Sequence, residues 1–146
     1  MSEFSISCSD FEEGAEIPKK FGYKFENEAP TIHFENIPQG TKCTALIMDD
    51  PDAMGAVGKV WVHWLKCLSV AIDEEDALPG LIGKNDFGEI GYGGPAPPDK
   101  RHTYIFKAYA VDTDLDLKIG FSKQELEDAM KAHILAEAKL TGTFAP

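Results

Sequence analysis

Along most of the chain, apolar and polar residues alternate with period two, the pattern of strands that bury one face. In TIHFENIPQGTK, Ile32 and Phe34 alternate with polar neighbours, and a Pro-Gln-Gly turn follows at residues 38–40. Ala45 to Met48 form a short continuous apolar run, which predicts a strand covered on both faces. The Asp-Asp-Pro-Asp after it cannot continue a central strand. In KVWVHWLKCLSV, strict alternation places Trp61, His63, Leu65 and Cys67 on one face, and Val60, Val62 and Trp64 on the other. HTYIFKAYAVD likewise puts His102, Tyr104, Phe106 and Ala108 opposite Thr103, Ile105, Lys107 and Tyr109. Between these two strands, DEEDALPGLIGKNDFGEI is polar and glycine-rich, with room for a short helical turn. The period changes near the C-terminus. Ser122 and Glu125 form a capping box, and Leu126, Ala129, Met130, His133, Ala136 and Leu140 recur at helical spacing up to Gly142. Many strands and one late helix predict a mainly β domain, a Greek-key sandwich or open barrel with a C-terminal α-helix.

Composition narrows the function classes. The 146 residues suit a single domain spanning residues 1–146, with a core large enough to need neither disulfide nor metal. The net charge of −11 repels polyphosphate and anionic membrane surfaces, and no run of Lys or Arg offsets it. Nucleic acid is therefore not an expected partner. Cys8, Cys43 and Cys67 are odd in number and lack a CxxC pair, which predicts reduced thiols in the cytoplasm. No basic-then-apolar leader and no apolar run long enough to span a bilayer are visible.

Candidate chemistry centres on histidine. His33 sits on an alternating strand and reads as solvent-facing; His133 lies near the apolar stripe of the expected helix, where a core or capping role is the ordinary one. His63, between two tryptophans, needs a hydrogen-bond partner; alone, it reads equally as a core histidine or as a pocket-floor donor. His102 opens a strand directly after a Gly/Pro loop and shares a face with Tyr104, at a sheet rim where pockets form. With the Gly93–Gly94 backbone, these groups suit a phosphate or carboxylate. Asp50, in DDPDAM, could bond His63 and raise its pKa, or could hold an amine. The same His, Asp and Tyr set could instead serve acid–base catalysis on a phosphoester or small acid, although no nucleophile elbow is present. Two histidines and a carboxylate could also ligate a divalent ion, the third alternative.

DDPDAM, VWVHW and GYGGPAPP…HTYIFKAYAVD resemble the signature regions of the phosphatidylethanolamine-binding protein family, in its prokaryotic Raf-kinase-inhibitor-like branch. The resemblance covers almost the whole chain, with AMKAHILAEAKLTGTF similar to the family's closing helix. It implies a sandwich of two antiparallel sheets with a small anion pocket at one end and no cofactor. Asp50, His63, Gly94, Pro95, His102 and Tyr104 match the family's pocket residues, with Asp52, Trp61 and Gly93 in support. The implied ligand is a phosphate-like anion or a headgroup such as phosphorylethanolamine; the implied partners are a kinase or protease to be restrained, or a second copy of the chain. Three departures stand out: Met54 replaces a proline, Thr103 an arginine, and Asp99-Lys100-Arg101 a glycine-bearing turn.

Overall fold

The structure is a computed structural model that describes residues 3–69 and 80–146. Its frame is a five-stranded antiparallel sheet in the order β5-β4-β3-β6-β7, built from Cys43–Asp50 (β3), Trp61–Ser69 (β4), Leu81–Ile82 (β5), His102–Val111 (β6) and Ile134–Phe144 (β7). A second antiparallel sheet pairs Ser5–Cys8 (β1) with Ile32–Glu35 (β2). Alternation decides what each face buries. Leu46, Met48, Trp64, Phe106, Ala108 and Leu140 pack against the small sheet and against Phe11, Ile17 and Phe21 of the segment after β1. On the other face, Ala45, Ile47, Leu65 and Val111 meet Phe121, Leu126 and Met130. With both faces covered, all eight residues of β3 are buried, as the apolar run 45–48 implied.

Two expectations change. The Ser122/Glu125 capping box is formed, through Glu125 N to Ser122 Oγ at 3.0 Å and Ser122 N to Glu125 Oε1 at 2.9 Å. The helix it starts, Lys123–Met130 (α2), then stops after eight residues. Ala132 turns the chain at φ 69°, and residues 134–144 run as β7 along the whole of β6. Ala136 and Leu140 fit both periods, but Ala138, Gly142 and Phe144 fit only the strand. The open edge of a ten-residue strand decided the choice, because its unpaired backbone groups need a partner. Gly142 therefore does not end a helix; a Cβ there would sit 2.6 Å from Ile17 Cγ1. His133 lies in the turn, exposed and bonded to Asp112 Oδ1 at 2.9 Å.

The second change is a β-bulge. Met48 pairs with Trp64 but Asp49 pairs with Val62, so His63 is the extra residue of β4. Its phase therefore flips: Leu65 and Cys67 share a core with Val62, not with His63. The connection between β4 and β6 falls partly outside the described residues, at 70–79. Its described part holds β5 and turns; the stretch 73–79, where a short helical turn had room, lies outside the described residues. Because β5 is an edge strand and β6 lies beside β3, residues 83–101 must cross the ends of β4 and β3.

Candidate functional site

Where that crossing loop passes over the sheet it closes a cavity of about 120 Å³. The floor comes from strand ends: Asp50 of β3, Trp61 and His63 of β4, His102 and Tyr104 of β6. One wall is Ala53, Ala56 and Val57 of the short helix Ala53–Val57 (α1), and the other is Phe87, Ala96 and Pro98 of the loop. One water occupies roughly 30 Å³ of liquid, so this volume suits a few waters or one small polar group. A larger depression of about 660 Å³ lies over Lys59, Asp86 and Lys123, but Lys59 pairs with Asp86 and Lys123 with Asp49.

The bulge delivers His63 to the floor, 2% exposed. Its Nδ1 lies 2.6 Å from the Gly93 carbonyl, which can only accept, so Nδ1 carries the proton. Burial lowers the His63 pKa despite that bond and the nearby Asp50, so the ring is neutral with Nε2 as an acceptor. The expected bond from Asp50 to His63 is not made. Asp50 Oδ2 instead meets His102 Nδ1 at 2.6 Å, and Oδ1 takes the Asp52 amide at 2.9 Å. The other nitrogen of His102, Nε2, meets Asp99 Oδ1, also at 2.6 Å. Burial would lower the His102 pKa, but hydrogen bonds to Asp50 and Asp99, and their charges, outweigh it and raise the pKa. His102 is thus an imidazolium between two carboxylates. Desolvation opposes ionisation of Asp99, yet its bond to His102 holds its pKa below the usual value.

Two further groups have unspent hydrogen-bonding capacity. Trp61 Nε1 and Tyr104 Oη are buried with no hydrogen-bond partner among the described residues. Burial, then the Asp50 charge, pushes the Tyr104 phenol upward, so it remains a neutral donor. His63 stands edge-on to Tyr104 and to Phe87, at 5.2 and 5.6 Å between centroids. Phe87 is held in turn by stacking on Tyr23 at 3.9 Å.

The glycine rim has a different job from the one expected. The Gly93 amide donates to His63 O, and the Gly94 amide to Asn27 Oδ1 at 2.7 Å, so neither is available to an anion. Pro95 O accepts from Tyr23 N, and neither Gly93, Gly94 nor Pro95 lines the cavity. A Cβ on Gly94 would stand 1.8 Å from Phe21 O, so this residue is glycine to let two backbones touch. Asp52 fastens the rim by accepting the Thr103 amide at 2.8 Å. Met54 points outward and leaves the wall to the alanines and Val57. The residues that sequence reasoning missed are Ala53, Ala56, Val57, Phe87, Ala96 and Pro98. Small apolar loop residues carry no local signature of lining a cavity. Asp99 was visible only as a departure, although its spacing of three from His102 was a usable signal.

The model of the family described as phosphatidylethanolamine-binding protein matches residues 7–145. The chain belongs to that family. Among its relatives is a UPF0098 protein of Methanothermobacter thermautotrophicus, 39% identical over 96% of this chain and 97% of its own length. A Chlamydia muridarum UPF0098 protein is also 39% identical, over 95% and 97%. Among solved structures, CT736 of Chlamydia trachomatis, a proposed phosphatidylethanolamine-binding protein homologue, superposes with a TM-score of 0.87 at 35% identity, covering 97% of this chain and 96% of its own. E. coli YbcL, described as a member of the mammalian family, gives 0.86 at 26% identity, with 98% of each chain covered. Family membership makes the chain a ligand-binding protein of the phosphatidylethanolamine-binding kind. Among the described residues no helix is long and apolar enough to cross a membrane, and no three His, Cys, Asp or Glu side chains are grouped to hold a metal ion.

Proposed function

We propose that the cavity binds a small oxyanion, either free phosphate or the phosphate of a headgroup such as phosphorylethanolamine. The observation that carries this reading is that His102, on the cavity floor, already holds an oxyanion, the carboxylate of Asp99, while the buried donors of Trp61 and Tyr104 have no partner among the described residues. Two buried unpaired polar groups cost about 1–3 kcal/mol each, and a ligand oxygen would relieve both. The apolar wall suits the methylene groups of a headgroup. A cytoplasmic location, a kinase or protease partner and a homodimer are proposed with the family resemblance as their support. The test follows the imidazole signals by NMR while phosphate, phosphorylethanolamine and zinc are added in turn. Shifts at His63 and His102 with millimolar phosphate are expected; silence of both rings overturns the reading.

A second reading, an enzyme, is favoured by one feature, the neutral Nε2 of His63, which could act as a base. Turnover of a small phosphoester that disappears in the His63→Ala, His102→Ala double variant would support it, and retained turnover would sink it.

A further inference from the structure

His102 offers its two N–H groups to carboxylates of different standing. Asp50 is 4% exposed at its side chain and fixed by the Asp52 amide. Asp99 is 40% exposed, on the crossing loop three residues before His102. With His63 neutral, the Asp50–His102–Asp99 cluster holds two carboxylates and one imidazolium, a net of one negative. An incoming anion therefore meets like charge and finds no free N–H on His102. If the Asp99 side chain swings toward solvent, the balance becomes one carboxylate and one imidazolium, and the Nε2–H of His102, a floor residue of the cavity, is freed.

We propose that Asp99 is an intramolecular stand-in for the ligand, and that an oxyanion enters by displacing its carboxylate from His102 Nε2. This rests on the anion-binding reading. The displacement selects its ligand. A tethered carboxylate competes at a local concentration of about millimolar or more, so a free monocarboxylate, offering the same bond, has little advantage. A tetrahedral oxyanion carries further oxygens for Trp61 Nε1 and Tyr104 Oη, which Asp99 leaves without a partner. The apparent affinity is then the intrinsic one reduced by the fraction of molecules in which Asp99 is withdrawn.

Calorimetric titration with inorganic phosphate, phosphorylethanolamine and acetate, on the wild type and on D99N and D99A, tests this. For an exposed charge-assisted contact we expect phosphate to bind about three- to tenfold more tightly to both variants, with acetate gaining at least as much. D99N keeps the side-chain size and isolates the charge, so a loosened loop in D99A cannot decide the result alone. Affinity in D99N equal to or below wild type overturns the proposal. In the wild type, the Asp99 carboxyl carbon resonance should move as phosphate saturates the site. If it stays fixed while the His63 and His102 rings respond, the ligand binds beside Asp99: the proposal fails and the anion reading stands. Absence of phosphate binding in wild type and both variants overturns the anion reading, and this proposal with it. Comparing phosphate with phosphorylethanolamine separates a free ion from a headgroup, since only the latter has methylene groups to lay on the apolar wall.

Discussion

Asp49 and Asp50 are neighbours on one strand, 1% and 3% exposed, and their surroundings have almost nothing in common. Asp49 faces the core under α2, where its Oδ2 takes Lys107 Nζ at 3.1 Å and Lys123 Nζ at 3.0 Å. The contact ties β3, β6 and α2 together. Asp50 faces the cavity and holds a histidine, a side chain that can lose its charge and whose second nitrogen meets a half-exposed carboxylate. Period-two alternation made one carboxylate a clamp and the next a cavity residue. A charge pair that fixes a fold and one that serves a site differ in whether the partner can let go.

Four outcomes would break or sharpen that contrast. The largest is expected from Asp49→Ala, which strands two partly buried lysines and should cost about 3 kcal/mol in urea unfolding. The His63 and His102 response to phosphate should survive it; if binding vanishes in the folded variant, the two aspartates are not separable. Asp50→Asn should cost about 2 kcal/mol, as a lost charge-assisted hydrogen bond, and should also weaken phosphate binding. It should lower the His102 pKa, readable in an NMR titration, because both the bond and the charge that raise it are removed.

The pH dependence comes next. The raised pKa of His102 means that its stabilising contribution is complete below its unfolded value of 6.5 and is lost as pH rises through the folded one. His63 has the opposite sign: its lowered pKa makes the fold lose stability as pH falls below 6.5. Unfolding at about pH 5 and about pH 8 should therefore show wild type losing its advantage over His102→Gln on going up, and over His63→Gln on going down. Equal slopes for both variants would refute the assigned charge states. Asp99 contributes above its unfolded value of 3.8, so the Asp99–His102 contact is intact between the folded pKa values of the two groups. The smallest effect is expected from Tyr104→Phe. Removing a hydroxyl without a partner should change stability by no more than about 1 kcal/mol, while phosphate binds more weakly. A large stability loss would show that the hydroxyl is structural.

Much of the fold was legible because period-two alternation is a local property: β3, β4, β6 and the capping box of α2 all stand where residue types placed them. The end of α2 was not. Residues 134–144 carry both periods in part, and only the edge of β6 could choose between them. The site divides in the same way. His63, His102, Tyr104, Trp61 and Asp50 do meet at one cavity, because they sit at the ends of adjacent strands. Their bonds were misassigned in advance, since a one-residue bulge and a crossing loop set them. The glycine rim shows the point most plainly: Gly94 answers to Phe21, about seventy residues earlier in the chain.

By itself, then, the sequence determined which residues are buried on which strands, where α2 begins, and that two imidazoles and a phenol would gather at a sheet end. Those follow from side-chain polarity and short-range spacing, which the chain carries locally. Only the tertiary structure decided that His63 bulges toward the cavity, that Asp50 holds His102, that Asp99 closes its other nitrogen, and that the last segment is a strand. Each of these is a hydrogen bond or a packing contact between segments distant in the chain or across a turn, and its energy exists only once those segments have met.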